Sequence, residues 1–166
     1  MFGAGGGTSS YLEVEETDVI LLWGSNAREA HPIYFHHVLK GLDNGARMFA
    51  VDPRRTSSAK FADAWLGLNV GTDVAMANAI GREIIAADLH NKDFIAHSSQ
   101  GFEDYKAHVE PYTLEYAEAI TGVPAQAIRE VAHAYASAEK APLDPRHHRA
   151  PQRCRQREVA VQPCAS

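Results

Sequence analysis

Residues 18–32, DVILLWGSNAREAHP, decide the fold, because a short apolar run there meets a glycine and then a polar segment. The run itself, residues 18–24, is continuous rather than alternating, and it has the length of a strand rather than of a helix. Such runs are typical of strands that are buried on both faces of a parallel sheet. The stretch therefore predicts a central strand that ends at Gly24 and is followed directly by a helix.

Strand and helix patterns alternate downstream of this run. A second strand is predicted in ARMFAVDPR and a possible short third strand in AWLGL (residues 64–68). Helices are predicted over 29–45, over 71–91 with Thr72 or Asp73 as N-cap, and as several short helices over 101–141. This alternation indicates the α/β class, with an incomplete Rossmann-like parallel sheet and flanking helices.

The composition suits one globular domain and excludes several classes of partner. The chain has 166 residues, 45% hydrophobic, and a formal net charge of -5, which disfavours a nucleic-acid partner because phosphates require a basic face. No apolar run approaches the roughly 20 residues that span a bilayer, and the N-terminus lacks the pattern of a secretory signal. Residues 1–141 contain no cysteine. We therefore expect no membrane segment and a cytoplasmic location.

The segment after the first predicted strand, WGSNAREAHP, carries the first candidate site. Gly24 permits close approach of the backbone, and Ser25 and Asn26 offer hydrogen bonds beside the N–H groups of a helix start, as at a nucleotide phosphate site. The alternative is a tight strand-to-helix turn whose Ser and Asn only cap the helix. The pattern alone leaves both interpretations open.

Two further loops follow the next predicted strands. In VDPRR, Asp52 can accept the ribose hydroxyls of a nucleotide and Arg54 can pair with a phosphate, or the segment is an ordinary Asp-Pro turn. In VGTD, Asp73 can accept both the ring N–H and the exocyclic amine of guanine, or it is a plain N-cap. A nucleotide site predicts that all three loops lie together, and the alternatives do not.

The other candidate motifs do not indicate a phosphate-binding loop, a metal site or a catalytic site. The opening MFGAGGGTSS lacks the preceding strand and the lysine of a P-loop, so we interpret it as a flexible linker. The nine histidines show no metal-ligand spacing, and no nucleophile–base pair is evident. We therefore predict no catalytic residue and no metal ligand in this chain.

Four stretches together carry a family resemblance: LLWGSNAREAHPI, VDPR, VGTD and GFEDYKAHVEPYTLEYAEAITGVPAQAIREVAHAYA. Over residues 1–141 the chain resembles the molybdopterin oxidoreductase family, and within it the catalytic alpha subunits of formate dehydrogenases. The resemblance implies an α/β domain, partial here, that binds one of two molybdopterin guanine dinucleotides. The cofactor contacts that it implies are Trp23, Gly24, Ser25, Asn26, Glu29, Val51, Asp52, Arg54, Gly71, Thr72 and Asp73.

The resemblance also implies what the intact enzyme does. It would oxidise formate to carbon dioxide at a molybdenum or tungsten bis(molybdopterin guanine dinucleotide) centre, with a 4Fe-4S cluster. Its partners would be the remainder of the alpha subunit and electron-transfer subunits. The family's cluster cysteines, its metal-ligating cysteine or selenocysteine with the following histidine, and its active-site arginine have no counterpart here. We therefore expect this fragment to be inactive alone.

Two alternatives to the formate dehydrogenase interpretation are kept. One is another molybdopterin oxidoreductase such as a nitrate reductase, since those enzymes share WGSN and HP with this chain. The stretch GFEDYKAHVEPYT, followed by ITGVP, favours formate dehydrogenase over it. The other is a stand-alone nucleotide-binding module without catalysis.

Residues 142–166 differ from the rest of the chain. They hold five arginines, no lysine, and both cysteines, Cys154 and Cys164. Codons can be chosen for residues 143–166 so that reading one base later gives a peptide that begins WTLGITEHHNG, the continuation that the resemblance implies. We therefore predict an out-of-frame, disordered tail with exposed thiols. The alternative is a basic tail that binds nucleic acid or an acidic partner.

Overall fold

The computed structural model describes residues 10–141 and the backbone of 143 and 144. After a 3-10 turn at Glu13–Glu16, the elements alternate as the sequence predicts, which confirms the α/β class. The strands are β1 (Val19–Trp23), β2 (Arg47–Val51), β3 (Ala64–Leu66) and β4 (Leu143–Asp144). The helices are α1 (Ala27–Ala30), α2 (Pro32–Asp43), α3 (Asp73–Ala86), α4 (Lys92–Ser98), α5 (Phe102–Val109), α6 (Leu114–Thr121) and α7 (Ala125–Ser137).

The four strands form one parallel sheet in the order β3-β2-β1-β4. In the register of β1 and β2, Val19 lies beside Arg47 and Trp23 beside Val51. This order is that of one half of a dinucleotide-binding fold, in which ligands bind outside the carboxyl ends of the strands where the strand order reverses. Here the order reverses between β1 and β4.

The residues of β1 alternate between two cores, as predicted for a strand covered on both faces. Val19 and Leu21 lie in a cluster with α3, α6 and α7, and the half-buried Trp23 packs against it. Ile20 and Leu22 lie in a second cluster with α2. Because both faces are apolar, the pattern along the sequence is continuous instead of alternating.

The end of the sheet differs from the sequence prediction. Leu143 and Asp144 pair with Leu21 and Leu22, so the sheet continues past the predicted boundary at 141 into the tail that was expected to be unstructured. A strand at this position satisfies the backbone groups of β1 that would otherwise form an open edge.

Several predictions fall outside the described residues. These concern the Gly-rich start at 1–9, position 142, and the tail from 145 to 166 with Cys154 and Cys164. In the part of the chain that the structure describes, no helix is both long enough and apolar enough to span a bilayer.

Candidate nucleotide-binding site

Three loops lie at the carboxyl edge of the sheet, as both the parallel order of the strands and the nucleotide interpretation predict. The backbone N–H of Gly24 donates to the carbonyl of Val51 at 2.8 Å, which joins the loop after β1 to the end of β2. The N–H of Asp52 donates to the carbonyl of Leu66 at 3.3 Å, which joins the loop after β2 to the end of β3. Gly24 has a φ of 59°, a left-handed conformation that favours glycine at this turn.

Trp23 and Asp73 connect the first loop to the third. The indole Nε1 of Trp23 donates to Oδ1 of Asp73 at 3.1 Å, although the residues are 50 positions apart. Asp73 is the first residue of α3, where the helix dipole favours a negative charge. The N-cap is Thr72, so the alternative that Asp73 is a plain N-cap is wrong. The hydroxyl of Thr72 donates to the carbonyl of Asn69 at 2.7 Å and does not cap α3.

Asp52 shapes the loop after β2. The residue is 6% exposed, and its Oδ1 accepts from the N–H of Arg54 at 2.7 Å, which forms an Asx turn. The indole of Trp65 donates to the carbonyl of Asp52 at 2.9 Å, and the guanidinium of Arg55 lies over the Trp65 ring. The Asp-Pro turn therefore exists, and it holds the Asp52 side chain at the edge of the sheet.

A hydroxyl-rich network joins the loops after β1 and β2. Oδ1 of Asn26 lies 2.9 Å from the hydroxyl of Ser57 and 3.1 Å from that of Ser58, within hydrogen-bond distance of both. The Ser57 hydroxyl also lies 2.9 Å from Oε1 of Glu29, and Oγ of Ser58 accepts from the N–H of Arg28. Asn26 occupies the N-cap position of α1, but its side chain does not cap that helix. The polar side chains of this segment therefore bind the neighbouring loop instead of a helix end.

Glu29 is held in its ionised form by these contacts. A hydrogen bond from Ser57, and a smaller contribution from one with Asn26, hold the pKa of Glu29 below its usual range. The positive charges of Arg54 and Arg28 act in the same direction. An ionised carboxylate accepts hydrogen bonds and repels phosphate. Among nucleotide groups, Glu29 therefore suits the ribose hydroxyls.

Replacing Ser57 with alanine is expected to raise the pKa of Glu29 toward its usual range, because the largest cause of the lowering is removed. A lowered pKa in the folded state stabilises the fold above the unfolded-state pKa, and this stabilisation is lost as the pH falls through the folded-state pKa. Carboxyl-carbon NMR titration of both proteins measures the shift. Glu115 is the control, because its own backbone and Thr113 lower its pKa. An unchanged Glu29 pKa in the variant contradicts this prediction.

The remaining predicted contacts are also at this edge. Gly71 has a φ of 86°, which favours glycine, and a Cβ at this position would meet no atom within 4 Å. Ser25 is buried, and the side chain of Val51 lies in the core. Val51 therefore contributes to the site through its backbone carbonyl, which accepts the hydrogen bond from the N–H of Gly24. Arg54 is exposed, and with the equally exposed Arg28 and Arg55 it adds positive charge to this edge of an acidic protein.

The sequence interpretation missed Ser57, Ser58 and Trp65. The TSS that follows VDPRR is a weak signal for the two serines, because small hydroxyl residues after a strand often form turns. Within the described residues, no group of three or more His, Cys, Asp or Glu side chains could hold a metal ion.

The strand order, with polar loops at the carboxyl edge of the sheet, is that of one half of a Rossmann-like α/β domain. The chain belongs to the molybdopterin oxidoreductase family, whose model matches residues 3–141. Formate dehydrogenase H of Escherichia coli is 39% identical over 141 residues, which are 85% of this chain and 20% of that protein. The F420-dependent formate dehydrogenase subunit alpha of Methanocaldococcus jannaschii is 41% identical over 142 residues, which are 86% of this chain and 21% of that protein.

Relatives with other names share the same domain. The assimilatory nitrate reductase catalytic subunit of Bacillus subtilis is 38% identical over 136 residues, which are 81% of this chain and 19% of that protein. The structure of acetylene hydratase from Pelobacter acetylenicus matches with a TM-score of 0.72 at 29% identity, covering 80% of this chain and 20% of that one. The chain thus spans about a fifth of the length of these relatives.

Proposed function

We propose that the carboxyl edge of this sheet binds the guanosine diphosphate portion of a molybdopterin guanine dinucleotide. The observation that carries the proposal is the Asp73 carboxylate, fixed by Trp23 at the start of α3 beside an open turn at Gly71. A carboxylate can accept from the two adjacent donors, N1–H and the 2-amino group, that guanine alone among the common purines presents. The residues present therefore fit the group.

Each of the other loops suits another part of the nucleotide. The ionised Glu29 and the edge carboxylate of Asp52 suit ribose hydroxyls. The turn at Gly24 permits close approach to a phosphate, with Ser25 and Asn26 in the same loop. The exposed Arg54 supplies a cation for the pyrophosphate, and Gly71 and Thr72 form the loop beside the base. These roles extend the set of contacts that the resemblance implies.

The chain would act by binding and orienting, without a catalytic residue of its own. When bound, the pterin end of the cofactor carries molybdenum or tungsten, which supplies the two-electron chemistry. The residues of this chain would hold the nucleotide end in place, which would fix the position of the distant reactive end. In this proposal a second dinucleotide and a 4Fe-4S cluster are held by other parts of the enzyme, since residues 1–141 have no cysteine.

For the intact enzyme we propose a cytoplasmic formate dehydrogenase, whose other partners are the rest of its alpha subunit and electron-transfer subunits. The formate dehydrogenases of Escherichia coli and Methanocaldococcus jannaschii support this, as does the stretch GFEDYKAHVEPYT. A nitrate reductase is the second candidate, and the Bacillus subtilis relative favours it. This domain is similar in relatives named for formate, nitrate and acetylene. The similarity therefore supports the proposed cofactor more strongly than the proposed substrate.

Calorimetric titration of the full chain with GDP and with ADP tests the proposed site. We expect GDP to bind about 5- to 150-fold more tightly than ADP, because a bidentate base contact is worth about 1–3 kcal/mol of discrimination. Equal affinity for the two nucleotides, or binding of neither by the folded chain, contradicts the proposal. GDP stands for the guanosine end of the dinucleotide, so the test does not depend on a loaded metal centre.

A further inference from the structure

We infer that Trp23 is a positioning residue that sets the base selectivity of the site, by fixing the rotation of the Asp73 carboxylate. This inference rests on the proposed function. The resemblance implies a direct cofactor contact for Trp23. In the structure, however, its indole N–H donates to Oδ1 of Asp73 at 3.1 Å. The only polar atom of the Trp23 side chain is therefore already occupied by the residue proposed to bind the base.

Both ends of this hydrogen bond are anchored by the fold. Trp23 is the last residue of β1, pairs with Val51, and packs its ring against the core cluster that includes α3. Asp73 begins α3, and the first turn is fixed by the bond from the N–H of Met76 to the carbonyl of Thr72 and by the full burial of Met76. The indole is thus a rigid donor, and it holds the carboxylate in one orientation.

That orientation decides which base edge can be matched. With one lone pair of Oδ1 taken by Trp23, the other lone pair of Oδ1 and those of Oδ2 can face two adjacent donors in one plane. Guanine presents two donors there, hypoxanthine lacks the 2-amino group, and adenine presents an acceptor at N1. A carboxylate that is free to rotate can accept one hydrogen bond from guanine, hypoxanthine or adenine, and it does so with nearly equal strength for each base. Loss of the indole N–H therefore weakens selectivity more than it weakens binding.

The substitution Trp23→Phe removes the N–H and keeps an aromatic ring against the core. We expect the ratio of the IDP and GDP dissociation constants to fall about three- to tenfold, with IDP affinity changed less than twofold. The matched control is Trp65→Phe, since Trp65 is the other tryptophan of the chain and donates to the Asp52 carbonyl instead. That variant can weaken all nucleotides together and is expected to keep the ratio.

The outcomes separate the inference from the proposed function. If the unmodified chain does not prefer GDP to ADP, the proposed function fails. If it prefers GDP and Trp23→Phe keeps the wild-type IDP-to-GDP ratio, only the inference about Trp23 is overturned.

A second measurement needs no Trp23 variant and so applies even when Trp23→Phe does not fold. In the unmodified protein the Trp23 indole NMR resonance is expected to shift more with saturating GDP than with saturating IDP, because guanine engages the same carboxylate more fully. Equal shifts with both nucleotides, or no shift with GDP, contradict the inference.

Discussion

Replacing Asp73 with asparagine is expected to lower the affinity for GDP about 100-fold while the chain stays folded. Asparagine keeps the shape of the side chain and an oxygen that can still accept from the indole of Trp23. Its amide nitrogen, however, places a donor against the donors of guanine. A mismatch of this kind, with groups left unpaired, costs about 2–3 kcal/mol. Calorimetric titration with GDP measures the loss, and circular dichroism checks the fold.

Xanthosine diphosphate distinguishes a lost base contact from general damage. Xanthine has a carbonyl where guanine has the 2-amino group, so the amide of Asp73→Asn can donate to it. The variant is therefore expected to bind xanthosine diphosphate better than the unmodified chain does. Asp93→Asn is the matched control, because Asp93 is also a first-turn acid, on α4. Undiminished GDP affinity in Asp73→Asn contradicts the role of Asp73 in base recognition.

Replacing Phe49 with alanine is expected to lower the free energy of unfolding by about 3–5 kcal/mol, as for other large buried aromatics. Phe49 is fully buried in the middle of β2 and pairs with Leu21 on one side and Ala64 on the other. The whole stability of a domain is typically about 5–15 kcal/mol, so much of this variant would be unfolded at 37 °C. Urea denaturation measures the change.

Phe94 supplies the control for this substitution. It lies on α4 with 39% of its surface exposed, and the same change to alanine there removes far less buried area. We expect Phe94→Ala to cost less than about 1.5 kcal/mol. Similar losses for the two variants would contradict the assignment of Phe49 to the centre of the core.

The sheet was predictable because its central strands are apolar on both sides. The run at 18–24 leads to β1, and the alternation of elements leads to β2 and β3 in parallel. The short β4 was not predictable, since Leu143–Asp144 has no strand pattern and pairs only because the edge of β1 lies next to it. The position of the three loops at one edge followed from parallel strands.

The contacts between side chains in the candidate site were less predictable than its position at the carboxyl edge of the sheet. No local pattern shows that the indole of Trp23 reaches Asp73 across 50 residues, because the bond depends on how α3 packs on the sheet. The network of Ser57 and Ser58 with Asn26 likewise joins residues about 31 positions apart. Side chains recognised singly from the sequence as ligand contacts therefore turn out to hold one another in place.

The relatives are named for formate, nitrate and acetylene, so in our proposal the specificity of this chain is for the nucleotide end of the cofactor. We propose that Asp73 serves the base, Glu29 the ribose and the exposed Arg54 the phosphates, all within three short loops. Substrate choice belongs, in our proposal, to the parts of the enzyme that hold the metal ligand.

Chemical-shift mapping of the ¹⁵N-labelled full chain with GDP tests the central claim most directly. We expect the amide resonances that move to be those of residues 24–30, 52–58 and 70–74, together with the Trp23 indole. The groove at the opposite end of the sheet, lined by Thr17, Asn44 and Ser137, serves as the internal control and should not move. Shifts confined to that groove, or spread evenly over the chain, would contradict a nucleotide site at the carboxyl edge.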